Sequence, residues 1–260
     1  MHPKYKEAVD LHRIGQVKRA KDICLEILED EPKNFDILHL LGIISFKLKD
    51  YKKSSEIISE AITINPKDAE AYNNMGTVLK KLNQFDTAYN SFCNAIKLEP
   101  DYAEAHNNCG VILKELNQEE NAIKSFKLAI KFKKNYAEAY YNLGHIFFER
   151  KKYNEALQNF YQSYKINPKL NYLLSSIIIT KHSICEWSSF DKNLLDLENN
   201  ILNEKKKINP FLTLSFYESP QLQKTSAETF VSEEYDVQNN QNYKFHKLAK
   251  KKNKNCLLFS

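Results

Sequence analysis

Three asparagines, Asn74, Asn108 and Asn142, stand 34 residues apart, and the first two have a second asparagine beside them, Asn73 and Asn107. A carboxamide carries two N–H donors and an acceptor oxygen, so a row of them can pair with an extended peptide backbone whatever its side chains. A polar, solvated groove would tolerate the same row. No other pattern points to bond-making chemistry. The seven histidines, His2, His12, His39, His106, His145, His182 and His246, lack metal-site spacing. The five glycines are spread too far apart to build a phosphate-cradling loop. Cys24, Cys93, Cys109, Cys185 and Cys256 include no Cys-x-x-Cys pair, and their odd number and wide spacing suit reduced thiols. Adjacent acids such as Glu119 and Glu120 read as a solvated face. The residues assign no catalytic side chain, no metal and no cofactor; what they offer is recognition.

The elements that must position these amides repeat with the same period. The stretch Ala69-Glu70-Ala71-Tyr72-Asn73-Asn74-Met75-Gly76 returns as Ala103 to Gly110 and as Ala137 to Gly144. The period divides the chain into five units, 1–34, 35–68, 69–102, 103–136 and 137–170. Position 8 of each is Ala8, Gly42, Gly76, Gly110 and Gly144; position 20 is Ala20, Ser54, Ala88, Ala122 and Ala156. Small residues at these positions let two antiparallel helices approach closely, and large apolar groups at positions 7, 11 and 24 fill the space between. Cys24 and Cys109 occupy such slots and read as small core hydrophobes. Position 32 is Pro32, Pro66, Pro100 and Pro168, with Lys134 the exception. Proline cannot continue a helix, so it is predicted to end the second helix of each unit. The first unit is the most divergent, with Lys4 and Glu7 where others are apolar, as expected of a terminal repeat facing water.

In register and residue type these units resemble the tetratricopeptide repeat, a stack in which each unit buries its apolar face against its neighbours. The resemblance implies an all-α, right-handed superhelix of five helix-turn-helix units, followed by a short helical extension. It also implies that the first helix of each unit lines a concave groove, with positions 2, 5, 6, 9, 12 and 13 facing into it. Those positions include the asparagine row. At its ends lie His39, Ile43 and Phe46, and Tyr141, His145 and Phe148. Phe46, Tyr141 and Phe148 are candidate anchors for partner side chains, unless a neighbouring unit or the C-terminal segment covers them. Position 2 holds Asp36, Glu70, Glu104 and Glu138. Repeats that clamp acidic C-termini place Lys and Arg at positions 2, 5 and 6; here acids, His and Asn stand there. The groove is therefore expected to favour neutral or basic extended segments of partner proteins.

The net charge of +5 is local, because residues 244–254 contain six Lys and no acid. A nucleic-acid binder spreads its basic charge over a folded face, so this run reads as a linker. No apolar run approaches the roughly 18 residues needed to cross a bilayer. Leu173 to Ile179 is the nearest, broken by Ser175 and Ser176. The opening Met-His-Pro-Lys-Tyr-Lys-Glu has no apolar core and does not read as a secretory signal. The expectation is a cytoplasmic protein with no membrane, nucleic-acid or small-molecule partner.

Beyond Pro168 the pattern fades. Leu170 to Lys181 reads as an apolar helix that caps the array, and Trp187 as a packing anchor between the array and the C-terminal segment. Asp191 to Lys207 and Ser219 to Tyr235 are predicted helical. Residues 171–238 thus form a helical segment. Residues 239–260 form a basic linker and the stub of a strand, Cys256 to Ser260. This order of parts resembles the protein O-linked N-acetylglucosamine transferases and their SPINDLY relatives. Asn74, Asn108 and Asn142 look like the asparagine ladder of that family. Cys185-Glu186-Trp187-Ser188-Ser189-Phe190 is similar to its Cys-Asp-Trp-x-x-Tyr/Phe element, and Pro210-Phe211, Ser219 to Leu222 and Lys252 to Ser260 to its next segments. The resemblance implies the acceptor-recruiting part of a UDP-sugar-dependent glycosyltransferase without its catalytic domain. Family histidines after the proline matching Pro210 are replaced by Phe211-Leu212, so no catalytic or sugar-binding role carries over. The alternative is a free-standing adaptor unconnected with sugar transfer.

Overall fold

The computed structural model describes residues 4–187, 190–202 and 219–234. Among these residues are thirteen α-helices and no strand. The chain divides into two compact units, Met1–Asn167 and Pro168–Ser260. The first is five antiparallel helix pairs: α1 (Tyr5–Arg13) with α2 (Val17–Asp30), α3 (Phe35–Lys47) with α4 (Tyr51–Ile64), α5 (Ala69–Lys81) with α6 (Phe85–Leu98), α7 (Ala103–Glu115) with α8 (Glu119–Phe132), and α9 (Ala137–Glu149) with α10 (Tyr153–Ile166). The second unit holds α11 (Leu173–Ser183), α12 (Phe190–Leu202) and α13 (Pro220–Glu234).

Each pair closes around one steric fit. A β-carbon built on Gly76 would sit 2.7 Å from the Phe92 ring, and one on Gly110 or Gly144 2.7 Å from Phe126 or Phe160. The glycine lets the phenylalanine of its own repeat lie flat on the facing backbone. All three rings are essentially buried, and each burial stabilises the fold by about 2–3 kcal/mol. In the second repeat Ile58 fills the same place over Gly42, and the Ser54 hydroxyl donates to the Gly42 carbonyl at 2.8 Å. Cys24 and Cys109 are buried as expected, and burial raises their thiols to about 11 and about 12. That removes the thiolate that reactivity requires.

The turns inside the repeats share one device. Gly15, Lys49, Asn83, Asn117 and Lys151, all at position 15, have positive φ. The next residue's N–H reaches back five residues, as from Gln84 to the Leu79 carbonyl at 2.9 Å and from Lys152 to Phe147 at 2.8 Å. This is a Schellman C-cap, whose left-handed residue is cheapest as glycine. Replacing the exposed Lys151 with Gly is therefore expected to raise stability by about 1 kcal/mol, read as a higher thermal midpoint.

Proline does not set the ends of the second helices. α8, with Lys134 where the others have Pro, ends at the same position, 30, as α2, α4, α6 and α10. At position 31, Glu31, Asn65, Glu99, Lys133 and Asn167 all leave the helix with φ between −126 and −141. The turn into the next repeat imposes that exit, and proline merely tolerates it. Asn34 and Asp68 then cap α3 and α5, accepting from Ile37 and Ala71 N–H at 3.2 and 2.7 Å. At the divergent first repeat, Lys4 forms an ion pair with Glu26.

In the second unit Ile178, Leu197, Ile201 and Leu222 form a small core shared by the three helices. Trp187 is 52% exposed and meets His182 edge-on at 5.3 Å. Glu186 beside it pairs at 3.0 Å with the buried Lys181. A buried ammonium demands a counter-charge, and Glu186 supplies it. Ser188, Ser189, Pro210-Phe211, the predicted helix beyond Leu202, the basic linker and the strand at residues 256–260 lie outside the described residues.

Candidate functional site

The first helices α1, α3, α5, α7 and α9 touch one another in sequence as well as their own partners, whereas no two second helices pack as closely. They therefore form the inner, concave layer. Gly and the apolar residues at positions 3, 7, 8 and 10 of α3, α5, α7 and α9 face the second helices, which leaves positions 2, 6, 9 and 13 for the groove.

The asparagines are joined across repeats. Asn108 donates from Nδ2 to Asn73 Oδ1 and Asn142 from Nδ2 to Asn107 Oδ1, each at 3.0 Å. Asn74 Nδ2 lies 2.9 Å from His39 Nε2; an amide nitrogen only donates, so that imidazole carries its proton on Nδ1. Each rung runs from position 6 of one repeat to position 5 of the repeat before it. Asn73 and Asn107 are buried, at 2% and 6% exposure, and the three position-6 residues are half-buried. Asn107 is further tied to the Tyr136 hydroxyl. The five asparagines thus fall into two kinds, acceptors inside and donors at the groove surface. Each position-6 amide keeps a second N–H and its carbonyl oxygen, and those are the groups a peptide backbone needs. The parts that His39 and Tyr136 play in the ladder are not evident from the sequence. The 35-residue spacing between Asn73 and Asn108, and between Asn107 and Asn142, is the signal in it that points to the pairing.

The flanking aromatics are partly covered. Phe46 leans on Tyr51 and Phe148 on Tyr153, with centroids 5.4 and 5.5 Å apart, so position 12 packs on position 17 of its own repeat. Tyr141 meets His145 edge-on at 4.5 Å and Phe160 at 5.9 Å. All three are half-buried.

Charge is sorted across the face. Asp36, Glu70, Glu104 and Glu138 are exposed along one rim. Burial, with Glu104 and neighbouring acids close by, raises the Tyr102 and Tyr136 phenols, which keeps them neutral hydrogen-bonding groups. Along the other rim stand Lys47, Lys80 and Lys81, then Lys114, Glu115 and Glu149. Lys114 pairs with Glu149 at 2.6 Å. Arg150 clamps Glu119 and Glu120 at 2.8 and 2.7 Å, so two ion-pair sets join the fourth and fifth repeats. Burial, helped by Lys81, lowers the Lys80 ammonium from its usual value.

His145 carries a pH dependence. Burial, with Lys114 nearby, lowers its imidazole to about 4. An unfolded histidine titrates near 6.5, so the unfolded chain binds the proton first as pH falls. Stability is full above roughly 6.5 and drains as pH falls toward 4. The thermal midpoint is expected to drop across that window, and less steeply in His145→Asn than in the parent.

Models of the tetratricopeptide repeat match residues 35–68 and 137–170, with further repeat models on 58–90, 76–117 and 110–149. No curated protein matches the chain in sequence. Among solved structures, PilW, a type IV pilus biogenesis factor, is similar with a TM-score of 0.69 at 19% identity, over 85% of this chain and 96% of that one. PilF of Pseudomonas aeruginosa gives 0.68 at 16% identity, over 86% and 95%. YrrB, described as a repeat protein with an unusual peptide-binding site, gives 0.52 at 22% identity, over 64% and 86%. At these identities the likeness speaks for the fold. Since the repeat models together run without a gap from residue 35 to residue 170, more than half of its length, the chain belongs to the tetratricopeptide-repeat family.

Proposed function

We propose that the protein binds an extended segment of a partner protein along its concave face, with Asn74, Asn108 and Asn142 meeting the backbone and Phe46, Tyr141 and Phe148 contributing apolar contacts. The ladder carries this reading: each groove amide is fixed by one hydrogen bond to the repeat before it and keeps its remaining groups toward solvent. A fixed donor spends little entropy on binding. The likeness to YrrB supports the same kind of partner.

The test separates groove from scaffold. Peptides selected from a random-sequence phage library against the full chain would be titrated against two double variants. Asn108→Ala with Asn142→Ala removes two of the three groove amides. Asn73→Ala with Asn107→Ala breaks the same rungs but leaves the groove amides in place. Each loses stability, about 1–3 kcal/mol for every buried polar group left unpaired, but only the first is expected to weaken affinity about tenfold or more. Equal losses in both would mean that the ladder serves the fold alone.

A finer proposal is that the bound segment is an acceptor presented to a sugar-transfer domain. It rests on the resemblance of Cys185-Glu186-Trp187 and the segments after it to the O-linked N-acetylglucosamine transferases. An intact mass well above 30.4 kDa for the native polypeptide would support it. The competing reading is an adaptor with no sugar chemistry, which that mass measurement also addresses.

A further inference from the structure

We infer that His39 decides which hydrogen-bonding groups Asn74 offers to a bound segment. With the imidazole neutral, Asn74 presents a donor and an acceptor to the peptide backbone. With a second proton on the imidazole, Asn74 presents donors only, and the hold of the groove over the second and third repeats weakens. This rests on the peptide-binding reading above.

The three rungs share one geometry but not one kind of acceptor. Asn74, Asn108 and Asn142 each direct Nδ2 to position 5 of the repeat before, at 2.9, 3.0 and 3.0 Å. Two of those acceptors are the carboxamide oxygens of Asn73 and Asn107, which do not titrate. The remaining one is Nε2 of His39, and histidine is the side chain whose charge changes between about pH 5 and 8. Its Nδ1 already carries a hydrogen, so a second proton has to go to Nε2, the atom that faces Asn74. Two donors then meet across the rung. The ring is held against swinging aside: it is half-buried and stacks on Phe35, with centroids 5.6 Å apart and planes inclined by 29°. The amide is the part that can yield. Turned over, it gives its oxygen to the new Nε2 hydrogen and leaves only N–H groups toward the groove. A backbone N–H of the bound segment then loses its acceptor, and an unpaired polar group at an interface costs affinity.

The charged groups around this rung come from three helices. On α3, Asp36 stands one turn before His39; on α5, Glu70 stands one turn before Asn74. From α1 comes Tyr5, whose phenol has both of those acids near it and is raised above its usual value, with the exposed Lys6 beside it. Lys47 and Lys81 stand two turns further along α3 and α5. The buried residues of α2 and α4, which also pack on α3, carry no charge; Cys24 among them stays a thiol.

The experiment uses peptides from the same phage library, capped at both ends and free of titratable side chains, titrated calorimetrically against the full chain at pH 8 and pH 5.5. Those chosen lose affinity to Asn74→Ala at pH 8. The parent is expected to bind them about three- to tenfold more weakly at pH 5.5. His39→Asn gives the second repeat the acceptor that the next two already have, and should bind at both pH values as the parent does at pH 8. Asn74→Ala should bind at both as weakly as the parent at pH 5.5. His145, lowered to about 4, stays neutral across this range. His12 and His106 are present in every variant, so a response from either would persist in His39→Asn. Circular dichroism confirms that each variant is folded at both pH values. An equal pH response in His39→Asn, or none in the parent, overturns the inference; the groove reading then stands as long as Asn108→Ala with Asn142→Ala still weakens binding. Peptides that bind without depending on Asn74 overturn it as well. If no peptide binds, both fall.

Discussion

Phe126→Ala is expected to destabilise the array by about 3–5 kcal/mol, the largest loss for any single substitution considered. The ring is buried to 1% exposure and belongs to a core that also includes Met75, Phe92, Ile112 and Leu143, contributed by the third, fourth and fifth repeats. In a stack whose repeats interact only with neighbours, a void at that point also uncouples the repeats on either side. Chemical denaturation should therefore show both a lower midpoint and a broader transition than the parent. Phe132→Ala, in the same helix but 40% exposed, is the control and should cost far less. A loss below about 1 kcal/mol for Phe126→Ala would mean that the fourth repeat contributes little to the core.

Gly110→Ala should cost about 2–3 kcal/mol, unusual for the addition of one methyl group to a helix, where alanine is normally the better residue. The added carbon would meet Phe126 at 2.7, 2.9 and 3.0 Å, three ring atoms at once, leaving the ring no simple way to yield. The first repeat already contains the compensated version, Ala8 with Cys24 where the others pair Gly with Phe or Ile, and both of its members are fully buried. Gly110→Ala combined with Phe126→Cys copies that pair into the fourth repeat. In a double-mutant cycle the two changes should couple favourably by about 1–3 kcal/mol. Additive losses would refute the steric account of position 8.

These two cases show why so much of the fold is readable from residue order. Gly42, Gly76, Gly110 and Gly144 answer to contacts inside one repeat, where the period fixes which residues face each other. The pairing of Asn108 with Asn73, and of Asn142 with Asn107, depends on how far one repeat rotates against the next. Local spacing does not encode that rotation, so residues that look alike in sequence have different surroundings. The partial cover of Phe46 and Phe148 has a different origin: it comes from Tyr51 and Tyr153 at the start of the facing helix of the same repeat, and depends on how the turn aims two side chains on either side of it. Lys134 corrects an expectation of another kind: proline's intolerance of helix is not the cause of an ending that the turn geometry produces without it.

The ladder has a direction. Every rung is given by a later repeat to an earlier one, and Leu40, at position 6 of the second repeat, has no hydrogen to give to the first. Residues 69–102 carry both halves of the joint, the acceptor Asn73 and the donor Asn74. That segment is a tile whose two edges match each other. Copies of it inserted in tandem would continue the row without redesign, so the groove could be lengthened by duplication, one amide per copy, while the divergent first repeat closed the end.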